Sequence, residues 1–191
     1  MSKIILGIDP GITKTGWALV KEEHGKYIVL KTFATSSPGA NSSQRKRKKF
    51  PMQQLPDNKF QAGKQRANEH IIQLLETMTR YIDDVDKNII EKIKGIYIES
   101  LQYLGGKSQN FNTLTQTSFY IGHISHYLTS INKPINFVNP TVWKKITGNA
   151  HADKQRVIRW VETITGYTPP NDHEADAVAI AIFGLNRTGA K

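Results

Sequence analysis

Apolar positions along the chain follow two periods. Ile4-Ile5-Leu6-Gly7-Ile8 is a short apolar run closed by Asp9 and a Pro10-Gly11 turn, which predicts a buried strand. Thr15 to Val20 and Tyr27 to Phe33 predict two more strands, close enough in sequence to form an antiparallel meander. Lys94 to Glu99 predicts a fourth strand, again ending in a carboxylate, and Pro134 to Val138 a fifth. Between and after them the period lengthens. Ala67, Ile71, Leu74, Leu75, Met78 and Ile82 predict an amphipathic helix over 63–84. Phe111, Leu114, Ile121, Ile124 and Leu128 predict a helix over 110–128. Val157, Trp160, Val161 and Ile164 predict another from about Asp153, and a last helix runs from Asp172 to Phe183 behind Pro169-Pro170. Antiparallel strands come first and strand then alternates with helix. The pattern is α/β: a mixed five-stranded sheet, three antiparallel strands followed by parallel ones, flanked by helices.

One segment breaks the pattern. Residues 36–62 open with Ser, Pro, Gly and Asn and carry Arg45-Lys46-Arg47-Lys48-Lys49, with no clear period. They read as a mobile basic insertion within a single domain spanning 1–191, and as an arm that contacts phosphates. A solvated loop is the plainer alternative. The whole chain has a formal charge of +10 and a sequence pI of about 9.7, which favours a polyanionic partner, most simply nucleic acid. With no cysteine, disulfides and thiolate metal sites are excluded. No leader and no membrane-length apolar run is read, so the expectation is a cytoplasmic protein that engages no membrane.

Candidate chemistry concentrates at element ends. A carboxylate at the end of a buried strand is costly unless compensated, and a metal ion is one compensation. Asp9 alone could equally cap a turn of a core strand. Glu99 ends a second strand, and parallel neighbours would bring those two ends together. In Asn171-Asp172-His173-Glu174-Ala175-Asp176, residues three or four apart share a helix face, so Asp176 pairs with His173 or Asp172. Glu174 points elsewhere and fits a reciprocal cap with Asn171. The candidate catalytic and metal-ligating set is therefore Asp9, Glu99, His173 and Asp176. Carboxylates with one imidazole suit Mg²⁺ or Mn²⁺ before Zn²⁺. Two ions ~4 Å apart would clamp an in-line phosphoryl displacement, with Asp9 as the bridging ligand.

Strand, Asp, tight turn and strand resembles the opening of an RNase H-like domain, and also that of sugar-kinase and actin-like ATPases, for which this chain is short. The wider resemblance is to the RuvC family of Holliday junction resolvases. It rests on Ile5-Leu6-Gly7-Ile8-Asp9-Pro10-Gly11, Thr15-Gly16-Trp17, Ile96-Tyr97-Ile98-Glu99, Val142-Trp143-Lys144-Lys145-Ile146-Thr147-Gly148-Asn149 with Ala152-Asp153-Lys154, and His173-Glu174-Ala175-Asp176-Ala177-Val178-Ala179-Ile180-Ala181. The resemblance implies an RNase H-like fold, a homodimer, and metal-dependent paired nicking of a four-way DNA junction. The family's four acidic or histidine positions fall on Asp9, Glu99, His173 and Asp176. Its basic DNA contacts fall on Lys154 and on Lys144 or Lys145.

The chain departs from the family in two places. Segment 36–62 is longer and more basic. The aromatic that follows the second carboxylate is displaced to Tyr103. Gly105-Gly106-Lys107-Ser108 imitates the end of a P-loop, but the required upstream glycine is Leu101, so no nucleotide cofactor is expected. Lys107 is kept as a phosphate contact. His123, His126 and His151 are read as solvated or packing residues, and Trp143 and Trp160 as core or groove wall. Symmetric cutting would need two active sites related by a two-fold axis, and the helix over 110–128, with Phe111, Phe119, Tyr120 and Tyr127, is the expected dimer interface. A nuclease acting on other branched DNA or on RNA, and a junction-binding module that does not cut, are the rival readings.

Overall fold

The computed structural model describes residues 2–11, 14–36, 87–101 and 111–189, together with Glu76 and Arg80. Of the segment predicted as an excursion over 36–62, only Ser36 is described, and it closes a strand. Arg45, Lys46, Arg47, Lys48, Lys49, Tyr103 and Lys107 lie outside the described residues, as does most of the helix predicted over 63–84. Glu76 and Arg80 are both helical.

Five strands form one sheet: β1 (Lys3–Asp9), β2 (Lys14–Glu23), β3 (Lys26–Ser36), β4 (Ile93–Glu99) and β5 (Ile135–Val138). Their order is β3-β2-β1-β4-β5. The first three pair antiparallel, and β4 and β5 join parallel to β1. The β2–β3 hairpin turns on His24 and Gly25, both left-handed, a backbone twist that matches paired strands. Around the sheet stand α1 (Lys87–Lys92), α2 (Phe111–Leu128), α3 (Pro140–Trp143), α4 (Lys154–Thr165) and α5 (Asp172–Gly189). Among the described residues, no helix is long and apolar enough to cross a membrane.

β1 is buried on both faces, and its alternation sorts the core in two. Ile4, Leu6 and Ile8 join Trp17, Ile96, Ile98, Tyr120 and Ile124 beneath α2. Ile5, Ala18, Val20 and Tyr97 face the other way, onto the buried alanines, Val178 and Ile182 of α5. Asp9 shares the parity of Ile5, and Glu99 that of Tyr97. Both carboxylates therefore belong to the α5 face.

The α5 face is also where the sheet lacks side chains. A Cβ on Gly7 would stand 2.2 Å from the Ala177 carbonyl oxygen and 2.6 Å from the Ala181 nitrogen. On Gly16 it would stand 1.9 Å from the carbonyl oxygen of His173. Backbone meets backbone at both points, so α5 has no freedom to slide. We expect Gly16→Ala to cost about 1–3 kcal/mol or more by overpacking, lowering the melting temperature by several degrees at ~2–4 °C per kcal/mol. An unchanged thermal melt would show that the helix has room there.

Candidate active site

Register brings the acidic ends together. Ile8 pairs with Ile98 across the parallel β1–β4 ladder, so Asp9 and Glu99 are the next residues out on adjacent strands. Asp9 also pairs with Gly16 on β2, the glycine on which the start of α5 rests. That contact delivers His173, whose Nδ1 stands 2.8 Å from Asp9 Oδ2. Thr15 steadies the turn after Asp9: its hydroxyl donates to the Gly11 carbonyl at 3.0 Å and lies 2.6 Å from the Tyr120 hydroxyl. Tyr120 is buried in the core beneath α2, with its phenol pushed up to about 12, chiefly by burial. It is therefore a core residue and not the interface residue expected from the sequence.

The α5 start follows the predicted cap. Asn171 Nδ2 donates to Glu174 Oε1 at 2.8 Å, and the Glu174 backbone N–H donates to Asn171 Oδ1 at 3.1 Å. Glu174 also accepts from the Thr32 hydroxyl on β3, whose oxygen lies 2.6 Å from that of Tyr167. Glu174 thus ties the helix to the sheet edge, leaving His173 and Asp176 beside Asp9. Asp172 bonds the Lys154 ammonium at the head of α4. Burial opposes ionisation of Asp172, but Lys154 and His173 hold it below the usual carboxylate range.

A turn that the sequence periodicity did not reveal completes the site. Asn139 Oδ1 accepts from the Thr141 backbone N–H at 2.9 Å and Pro140 opens α3, a cap and first-turn proline that start a helix only four residues long. α3 ends at Trp143, fully buried, whose indole N–H donates to Glu99 Oε2 at 2.7 Å. Lys144 follows in a 3₁₀ turn over Lys144–Thr147 and lies 5.4 Å from the Trp143 ring centre. Of the two lysines left open by the sequence, Lys144 is the one whose charge acts on Glu99 and Asp176. Lys145 is exposed.

Two buried carboxylates, Glu99 and Asp176, have too little positive charge beside them. Burial pushes Glu99 up to about 8; the charges of Asp9 and Asp176 add to the rise, against the Trp143 bond and Lys144. Asp176 is pushed up to about 7 by burial, with Asp9 and Asp172 adding and Lys144 and His173 opposing. The hydrogen bond to Asp9 raises His173, against its own desolvation. Among the described residues, no three His, Asp or Glu side chains converge closely enough as they stand to hold one ion. The contacts explain the separation: Asp9 is engaged by His173 and Glu99 by Trp143. Yet the four gather where β1 and β4 end, each within electrostatic reach of others in the set. Buried carboxylates pushed this far up are the donor set that a divalent cation satisfies.

Comparison with known proteins gives the same picture along the whole chain. A crossover junction endodeoxyribonuclease RuvC of Rickettsia typhi is 26% identical over 191 residues, covering 95% of this chain and 96% of its own. The RuvC of a Wolbachia sp. from Brugia malayi is 28% identical over 181 residues, covering 93% and 91%. The resemblance to the RuvC family holds from end to end. No family model matches the chain. Thermus thermophilus RuvC, solved with a Holliday junction substrate, superposes with a TM-score of 0.63 at 19% identity, covering 97% of this chain and 96% of its own. The yeast mitochondrial Holliday junction resolvase gives a TM-score of 0.52 at 15% identity, over 98% and 79%. The fold is the RNase H-like fold of RuvC.

Two expectations follow. Without divalent cations, Glu99 and Asp176 hold protons in the folded chain that they release in the unfolded one, where they titrate near 4.5 and 3.8. The folded state therefore binds more protons, so stability falls as pH rises from about 5 to about 8, and raised His173 acts in the same direction. The melting temperature of the metal-free protein should drop by several degrees over that range at ~2–4 °C per kcal/mol, and Asp176→Asn should flatten the profile. A flat or rising wild-type profile would contradict this. Second, Trp143→Phe keeps the buried ring and removes the donor to Glu99, so it should weaken Mn²⁺ binding by about 10–100-fold. Unchanged affinity in a titration would mean that the indole bond does not orient Glu99.

Proposed function

We propose that the chain is a structure-selective, metal-dependent endonuclease that resolves four-way DNA junctions by paired nicks. The observation that carries this reading is the meeting of two strand-end carboxylates with the first turn of α5, in a chain similar throughout to RuvC resolvases. Asp9, Glu99, His173 and Asp176 are the proposed catalytic residues and the ligands of the metal, Mg²⁺ or Mn²⁺, with two ions per site. When bound, the ions would activate water and neutralise the charge that develops on the departing 3′-oxygen. The protein's own contribution is to hold its ligands on rigid elements. Asp9 is fixed by the β1–β2 register, Glu99 by Trp143, and His173 and Asp176 by the glycine contacts beneath α5. Lys144, over Trp143, and Lys154, on Asp172, would draw and seat phosphates. Lys145, Lys107, Tyr103 and the arm Arg45–Lys49 complete the proposed DNA-contacting set, on one domain spanning 1–191.

A homodimer follows from the symmetry of the substrate. The outer face of α2 is the proposed interface: Phe119 is 57% exposed and lies over His123, with ring centres 4.8 Å apart, and nothing comes within 4 Å of a Cβ built on Gly122. Exposed aromatic surface beside a glycine allows a close helix approach. The protein would act in the cytoplasm and needs no nucleotide cofactor.

The test is product mapping. Wild type and Asp9→Asn are incubated, with Mg²⁺ or Mn²⁺, with a four-way junction, a flap, linear duplex and an RNA–DNA hybrid. We expect symmetric nicks on the junction alone, and loss of roughly 100-fold or more of the rate in the variant with junction binding retained. Cleavage confined to the hybrid would favour a different RNase H-like nuclease. Binding without cleavage by the wild type would favour a non-cutting junction module.

A further inference from the structure

A groove of about 430 Å³ opens along α4, lined by Thr147, Asp153, Arg156, Arg159, Trp160 and Thr163. Asp153, Arg156, Arg159, Trp160 and Thr163 recur every three or four residues or adjoin, so they form one face of the helix. Val157 and Val161, the buried residues of α4, lie on the opposite face, in the α5 core. The groove is therefore outer surface.

Its two arginines are anchored and unspent. Arg156 donates through Nε and Nη2 to the Thr147 carbonyl, at 3.3 and 3.2 Å, and Arg159 donates through Nε to the Gln155 carbonyl at 3.3 Å. Neither guanidinium is paired with a carboxylate among the described residues. Asp153, the one acid of the groove, spends Oδ1 on the Arg156 backbone N–H at 2.8 Å. The Thr163 and Thr147 hydroxyls donate to the Arg159 and Lys144 carbonyls at 2.8 Å each, which leaves the guanidinium N–H groups as the charged donors of the groove. Two planar forks held on a wall at helix spacing match phosphate oxygens better than mobile lysines do.

Position gives the groove its meaning. Trp143 bonds Glu99, and Thr147 lines the groove; the two are joined by one 3₁₀ turn, about 8 Å long at ~2 Å per residue. Resting on the function proposed above, we propose that this groove seats the sugar–phosphate backbone of a duplex arm leaving the active site, with Arg156 and Arg159 each on a phosphate. Trp160, half-buried between them and the core, floors the groove against the sugars.

The experiment measures binding of a four-way junction and of linear duplex against salt, without divalent cations, for wild type, Arg156→Gln/Arg159→Gln and Arg159→Gln alone. Arg159 bonds only its own helix, so its variant isolates the contact if loss of the Arg156–Thr147 bond disturbs the turn. Two lost phosphate contacts should reduce the slope of log K against log salt by about 2, and one by about 1. With Mg²⁺ added back, the sites of nicking at saturating protein should not move. Wild-type slopes in Arg159→Gln, at an unchanged melting temperature, would overturn the groove assignment and leave the functional reading standing. A wild type that binds neither DNA would overturn both.

Discussion

The backbone of α5 lies directly on the backbone of β1 and β2. Gly7 and Gly16 leave no side chain in the way, and Ala177 and Ala181 present none larger than a methyl on the helix side. Everything in the candidate site depends on that distance. A helix resting on ordinary side chains would stand farther from the sheet, carrying His173 out of reach of Asp9. At the separation seen, the first turn of α5 drops between strand ends that the parallel ladder has already aligned. Glu174 adds a second fixing point through Thr32 and Asn171. Sheet and helix together make a rigid frame, and the acidic groups are attached to the frame and not to loops.

That rigidity has an electrostatic cost. Burial resists the ionisation of Glu99 and Asp176, and the charge of Asp9 adds to that resistance in both. The partners present meet only part of the demand. His173 takes one oxygen of Asp9, Trp143 one of Glu99, and Lys154 is drawn to Asp172. Among the described residues, Lys144 is the lysine whose charge favours ionisation of both Glu99 and Asp176. A divalent cation held by the proposed ligands would offset these repulsions and so would stabilise the folded chain.

Much of this could be read from the sequence because it is periodic or terminal. Strand ends marked Asp9 and Glu99, and helix spacing set Asp176 with His173 or Asp172 and apart from Glu174, whose capping role the structure shows. The mixed character of the sheet followed from three close strands and the later alternation. What escaped detection is carried by elements too short to have a period, or by contacts remote in sequence. α3 has four residues, and although its Asn139-Pro140 start is a visible signal, nothing in the chain says that Trp143 reaches back to Glu99. The choice between Lys144 and Lys145 likewise turned on the geometry of one 3₁₀ turn. Tyr120 looked like an interface aromatic because helix period alone does not distinguish a phenol facing its own sheet from one facing a partner. No period or motif marks Arg156 and Arg159, whose shared face becomes a groove only with Thr147 of the neighbouring turn as its wall.

The most direct test of the account is where a metal ion goes. Crystals soaked in Mn²⁺ and measured for anomalous scattering should show manganese between Asp9, Glu99, His173 and Asp176, with the Asp9–His173 contact opened to admit it. Manganese bound elsewhere, with Asp9 still held by His173 and Glu99 by Trp143, would contradict the claim that these buried carboxylates are arranged to hold cations.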